Sequence, residues 1–417
     1  MKIVDKLKNK RKNKELEVKE NGITLIALVI TIIVLLILAA VSIATLTGEN
    51  GILTRANDAR TQTEEAKEDE LRRLTALEAA TNLEDTTYID NSTEEEKTVT
   101  IPAETAVSQV EGENTLKDGL VIIDKNGNEW VWIEVPKSIY DNEEYYTNGA
   151  TKPTSSEDYT NIEKIMQNYA SKYRGSYTDD WYSEEQHGLT KKEYDDLKKT
   201  MLKSVYEKGG FYIGRYEVGI KEDINRYYGT DYNTEHPTEE TPVIRQDKYV
   251  YNWVRCSQAQ ELSEKLAIVG KASSLMFGIQ WDLVLVYLEE NGVLEGDLKT
   301  NSGSWGNYSN ETFDINRGRY STNNGVSYTR VSGTYPKPAS SVLLTTGATE
   351  RNSKMNIYDL AGNVREWTLE KSTNTDFPCA YRGGGCNVNG FDLPSSSRSN
   401  NLTSYSDSHI AFRSALY

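Results

Sequence analysis

The stretch DLAGNVREW, Asp359 to Trp367, places two acids, an Arg and a Gly-Asn pair within nine residues. Apolar residues separate the polar ones, so the segment reads as a buried-faced turn and not as a solvated loop. Gly-Asn predicts the turn itself, because both residues enter unusual backbone conformations at low cost. Two readings follow for the oxygens of Asp359 and Glu366. Either they hold something, or Glu366 caps backbone amides while Trp367 fills a core.

Outward from this turn the chain alternates strands with a few helices. In GLVIIDKNGNEWVWIEVP (residues 119–136), Asn126-Gly127 between apolar runs predicts a type I′ hairpin. Trp130 and Trp132 alternate with Val131 and Ile133, as a half-buried strand requires. Thr190 with Glu193 three residues on is a capping box, and the helix it opens stops at Gly209-Gly210. FYIGRYEVGI (residues 211–220) reads as one strand. Ser257 with Gln260 opens a second helix ending by Gly270, and residues 279–292 form a third with a wide apolar face. Residues 300–355 are rich in Ser, Asn, Gly and Thr and read as long loops. The fold class expected is α+β, with no internal repeat.

Composition narrows the function. Of 417 residues, 37% are hydrophobic, but 27 are Tyr and 7 are Trp. The formal charge is −16, while residues 1–22 hold eight Lys/Arg against four Asp/Glu, so the remainder carries −20. An acidic body repels phosphates, so nucleic acid is not an expected partner. Cys256, Cys379 and Cys386 make neither a disulfide framework nor a zinc pattern, although Cys379 and Cys386 could pair outside a cell. His187, His236 and His409 lie too far apart in sequence for a His-rich metal motif.

Near the start, residues 23–46 run 24 positions without a charge, enough to span a bilayer with some tilt. The basic leader stays cytoplasmic, which places everything after Leu46 outside the cell. The expectation is a single-pass protein of the cell membrane, in contact with lipid, with its C-terminal domain extracellular. NGITLIALV resembles a type IV prepilin cleavage signature. That resemblance implies cutting after Gly22 by a prepilin peptidase, N-methylation of Ile23, and other pilin-like subunits as partners. The position where such pilins carry Glu is Ala27, which weakens the case for polymerisation; a plain signal anchor is the alternative. The expected organisation is a leader at 1–22, a pilin-like transmembrane and amphipathic helix at 23–83, an acidic spacer at 84–117 and one exterior domain at 118–417. The spacer, DTTYIDNSTEEEKTV at its heart, is acidic, rich in Ser and Thr and poor in apolar residues, and is expected to stay unordered.

Across residues 118–417 the order of FYIGRYEVG, QWD, WGN, NIYDLAGNVREWT, YRGGG and IAFRSALY resembles the formylglycine-generating-enzyme (sulfatase-modifying-factor) superfamily. The resemblance implies a C-type-lectin-like fold. It also implies a structural calcium on the side chains of Asp359 and Glu366 and the carbonyls of Gly362 and Val364, oxygen donors that suit a hard cation. Active members carry a copper-binding cysteine pair after the RGG turn, and soft thiolates are what Cu(I) requires. Here those positions fall on Val388 and about Leu393, with Cys386 two residues early, so no catalysis is expected.

The segment CNVNGFDLPSSSRSNNLTSYSDSH, Cys386 to His409, mixes Asn, Ser, Asp and Tyr between patterned flanks at Ala380, Tyr381, Ile410 and Phe412. This palette suits an adaptable binding surface. It also resembles the variable region of target proteins of diversity-generating retroelements. The residues expected to touch ligand are Cys386, Asn387, Asn389, Phe391, Asp392, Asn400, Asn401, Tyr405, Asp407 and His409, with Phe391 and Tyr405 as anchors. The ligand expected is an extracellular protein or glycan, and the protein an adhesin-like binder. A pilin or pseudopilin-like subunit and an active oxidase are the alternatives.

Overall fold

The computed structural model describes residues 28–39, 41, 52–92 and 96–417. The chain divides into two compact units, residues 1–69 and 70–417. In the first, residues 28–39 are helical, and their Leu, Ile and Val side chains are exposed. Among the described residues no helix is long and apolar enough to cross a membrane. The span expected at 23–46 lies partly outside the described residues, as do Gly22, Ile23 and Ala27. A 28-residue helix, Ile52–Ala79, begins in the first unit's sequence and ends in the second's.

The second unit is α+β, built on two main sheets. The larger has six antiparallel strands, in the order Thr105–Val107, Val121–Asp124, Glu129–Glu134, Gly210–Gly214, Ser414–Leu416 and Ser273–Leu275. The smaller has four, in the order Arg398–Asn401, Cys379–Arg382, Arg365–Lys371 and Ile410–Phe412, the last pair parallel. Helix Gly278–Glu290 is buried through Leu288, as its nearly continuous apolar sequence demands.

The expected spacer at 84–117 is instead folded. Thr86–Asp90 pairs with Lys97–Ile101, and Thr105–Val107 edges the larger sheet. Val99, Ile101, Ala106, Val110 and Leu116 are buried, and these sparse apolar residues anchor the segment to the domain. Buried charge completes the attachment. Arg215 donates to Glu113 at 2.7 Å and Glu129 at 2.8 Å, and Arg72 reaches Glu113 at 2.5 Å. The strand expected at 211–220 breaks into Gly210–Gly214 and Gly219–Ile220, and between them the Val218 amide turns to the Phe412 carbonyl of the smaller sheet.

Other local expectations meet mixed outcomes. The Thr190–Glu193 capping box opens helix Lys191–Lys208, and Gly209 closes it in the left-handed region at φ 80°. The hairpin at Asn126-Gly127 is not a two-residue turn. Only Gly127 has positive φ, and the Asp124 carboxylate accepts the amides of both Asn126 and Asn128. The second helix runs Cys256–Glu264 and ends short of the expected Gly270; Gln258, not Gln260, accepts the amide of its N-cap residue Arg255, and Gln260 accepts the Leu275 amide at 3.0 Å. Residues 300–355 carry only two- and three-residue strands and short 3-10 turns.

Candidate ligand-binding face

Trp367 fills the core as the turn reading requires, and the side chains of Asp359, Asn363 and Glu366 each have a designated partner. Asp359 accepts the Gly347 amide at 2.8 Å and the Asn352 amide group at 3.3 Å. Asn363 donates to Glu217 at 2.7 Å and accepts from Asn307 and the Leu344 amide, both at 3.0 Å. The Val364 amide donates to Glu217 at 3.2 Å. Gly362 has φ 80°, and a Cβ there would stand 2.4 Å from the Asn307 carbonyl oxygen, so only glycine fits.

Glu366 does not cap amides. Both its oxygens accept from Arg413, at 2.7 and 3.1 Å, in a fully buried forked pair. Arg413 also donates to the carbonyls of Gly214 and Tyr358, so one side chain ties the corner between the two sheets. This arrangement does not fit the expected calcium at Asp359, Gly362, Val364 and Glu366. A guanidinium already neutralises Glu366, and its charge would repel a cation there. Among the described residues no group of three or more His, Cys, Asp or Glu is placed to hold a metal.

The ten residues expected to touch ligand fall into three environments. Asn387, Phe391 and Asp392 are exposed, and Asn389 binds Ser309 and Asp392 at its edge. Asn400 instead is a strand residue whose amide donates to Tyr177 at 2.8 Å and Ser372 at 2.6 Å, while Asn401 caps the Leu402 amide. Cys386 and His409 are buried, which corrects their expected role: neither presents surface to a ligand. Cys386 packs with Val250, Leu343, Val364 and Ala411 and lies beside the His409 ring. Arg398, in the same segment, pairs with Asp282 at 2.6 Å and Glu370 at 2.8 Å, carboxylates that it shares with buried Arg382.

Asp407 organises the end of this segment. It accepts from Tyr405 at 3.0 Å, Ser408 at 3.0 Å and the His409 amide at 3.2 Å, with the His409 ring at 3.4 Å. Burial alone would raise its carboxyl, but the His409 hydrogen bond and charge bring it down to about 2. Burial likewise opposes the charged imidazole, yet the Asp407 carboxylate and the neighbouring Cys386 lift His409 to about 9.

Sequence reasoning missed what Tyr405 packs on. Tyr405 stacks on Tyr232 at 6.1 Å and 21°, and Tyr232 lies on Trp253 at 5.7 Å and 8°. The Ser406 amide donates to the Tyr232 carbonyl, and the Trp253 amide to the Asp407 carbonyl, locking the two segments together. Tyr227 and Tyr228 stand edge-on to the same Trp253. Tyr232 is 38% and Tyr227 44% exposed, so the ring series reaches solvent. Trp253 holds φ 56°, a costly conformation for a bulky residue, and its indole N–H is buried without a partner. The signal was present in NRYYGTDYNTEH (residues 225–236), which uses the same Tyr, Asn, Asp and Gly palette. Beside it, the Arg365 guanidinium lies 5.8 Å over the half-buried Tyr381 ring.

No family model and no curated protein matches this chain. Among solved structures, CarF resembles it at TM-score 0.28 and 15% identity over 49% of this chain and 85% of CarF. Treponema denticola variable protein 1 resembles it at TM-score 0.20 and 12% identity, over 79% of this chain and 98% of that protein. Likenesses of this size carry no functional argument.

Proposed function

We propose that this protein is a membrane-anchored, surface-displayed binder whose α+β domain, of the C-type-lectin-like class that the sequence motifs resemble, holds an extracellular protein or glycan without transforming it. The observation that carries this reading is the Trp253–Tyr232–Tyr405 ring series, buried at one end and open to solvent at the other. Rigid aromatic rings present large contact area at little entropic cost, and binding energy concentrates in such anchors. Trp253 is fully buried and its amide is bonded to the Asp407 carbonyl, so the platform is formed before a ligand arrives. The exposed Asn387, Phe391 and Asp392 provide polar and apolar contacts on a second patch. Catalysis has no support in the residues after the RGG turn, where Val388 and Leu393 stand at the cysteine positions of the oxidases.

The test is binding of the full chain, in detergent, to immobilised oligosaccharides and extracellular proteins. Tyr232→Ala and Tyr405→Ala are expected to weaken the strongest interaction by about 2 kcal/mol each, roughly thirtyfold, with the cooperative melting transition retained. Phe391→Ala is expected to weaken it less. Unchanged affinity in both tyrosine variants would sink the ring series as the binding face.

A further inference from the structure

Arg365 is the exception among the arginines of residues 70–417. Every other one is paired with a carboxylate, apart from Arg245, which donates to the Asn126 carbonyl. Arg365 has neither a carboxylate nor a hydrogen-bond acceptor for its side chain among the described residues, although the chain holds 63 Asp and Glu against 47 Lys and Arg. The residue is half-buried. Its Nε is enclosed without a partner, while the terminal nitrogens stay accessible. Contact with the Tyr381 ring, 5.8 Å from the guanidinium carbon, restrains the fork without using its donors.

The sheet sets this guanidinium beside the ring series. Arg365 opens strand Arg365–Lys371, and strand alternation puts it on the same face as Trp367. Tyr381 stands opposite Trp367 in the antiparallel register, and the Trp367 indole N–H donates at 2.9 Å to the carbonyl of Val254, the residue after Trp253. The Arg365 amide donates at 2.8 Å to the carbonyl of His409, two residues beyond the Asp407 that holds Tyr405. A Cβ added at Gly385 would stand 3.7 Å from Arg365 Cγ and 3.3 Å from Asn387 Oδ1, so the arginine stem and exposed Asn387 flank the same glycine. Arg365 thus adjoins both the rings and the second patch.

We propose that Arg365 receives a carboxylate of the ligand, and that the ligand is an acidic glycan whose sugar ring carries that carboxylate. This rests on the ring series as the binding face. A guanidinium fork matches the two oxygens of a carboxylate, and this fork has no competing partner within the chain. The choice of a sugar follows from the surroundings. A sugar ring offers C–H groups to the electron-rich faces of tyrosines and hydroxyls to Asn387 and the tyrosine hydroxyls. A peptide is more often held by an open strand edge or a groove, and the strand beside Arg365, Ile410–Phe412, is buried. The chain's charge of −16 repels polyanions at range, so recognition here works by contact with one carboxylate, not by charge density.

The experiment titrates the full chain, in detergent, with trigalacturonate, its methyl ester, sialyllactose, lactose and a hexaglutamate peptide. Both carboxylated sugars are expected to bind at least about tenfold more tightly than their uncharged counterparts. Arg365→Gln should remove that preference, and Arg365→Lys should restore only part of it, because an ammonium keeps the charge without the fork. Should Arg365→Gln not fold, the comparison of acid with ester on the unsubstituted chain decides alone. Absence of binding by both carboxylated sugars, or a preference kept in Arg365→Gln, overturns the inference. Tighter binding of hexaglutamate than of either sugar overturns the glycan. Equal affinity for acid and ester, with Tyr232→Ala still weakening both, overturns the carboxylate contact and leaves the ring series standing. A preference lost in Arg365→Gln but untouched by Tyr232→Ala and Tyr405→Ala removes the ring series and keeps the carboxylate contact.

Discussion

Asp359–Trp367 and Cys386–His409 draw on similar polar residues and use them in opposite ways. In the first, Asp359, Asn363 and Glu366 are buried, and each polar side chain has a named partner elsewhere in the chain. In the second, polar side chains change role every few residues: Asn387 and Asp392 face water, Asn400 is bonded on a strand, and Arg398 is locked into a buried ion cluster. Composition therefore does not separate a wired turn from a binding surface; the partner across the fold does.

The largest effect is expected at Glu366. Glu366→Ala leaves Arg413 buried without its forked partner, and losing one side of a buried pair costs 3 to 5 kcal/mol in general. Asp359 and Glu217 remain near Arg413 and offset part of this, so the expected loss in a denaturant titration is about 3 kcal/mol. A chelator should leave the melting transition of the unsubstituted protein unmoved. A chelator-sensitive transition abolished by Glu366→Ala would restore the calcium site and break the contrast.

Next comes the titration of His409. Its folded value of about 9 lies above the ordinary 6.5, so the folded protein keeps a proton that the unfolded chain releases. The stabilisation is complete below pH 6.5 and is lost as pH rises through 9, a decline on the order of 1–3 kcal/mol. Compared with the unsubstituted protein, His409→Gln should flatten the stability profile over that window. Identical profiles would mean that Asp407 and His409 do not form the pair that holds Tyr405.

The smallest effects divide the C-terminal segment internally. Asn400→Ala removes two hydrogen bonds and is expected to cost about 1–2 kcal/mol. Phe391→Ser and Asp392→Ala, both exposed, should stay within about 0.5 kcal/mol. Equal costs at all three would mean the segment is uniform, either all scaffold or all surface.

These contrasts also explain what could be read from the residues in order. The Thr190–Glu193 box, the Gly209 stop and the burial of Trp367 are local or nearly so, and each was legible. The strands at 86–90 and 97–101 were not, because a half-solvated hairpin of Thr, Lys and Asp differs little in composition from a spacer. Glu366 meets Arg413 across 47 positions, and Tyr405 meets Tyr232 across 173, distances at which no spacing rule operates. Tyr405 was recognised as an anchor, but its platform was not, since topology alone brings residues 225–253 beneath it.

The placement of Ser414–Leu416 bears on how the domain comes to exist at all. This strand lies inside the larger sheet, with Gly210–Gly214 on one side and Ser273–Leu275 on the other. Leu416 pairs with Tyr212, 204 positions earlier, so the sheet closes only after nearly every other segment has been made. Until then two strand edges stand bare, each a template for pairing with another chain. Contacts this distant make folding slow. An emerging domain of this design must be held apart from its neighbours until its last strand arrives, and the interval before closure, not the finished structure, is when it is most exposed to aggregation.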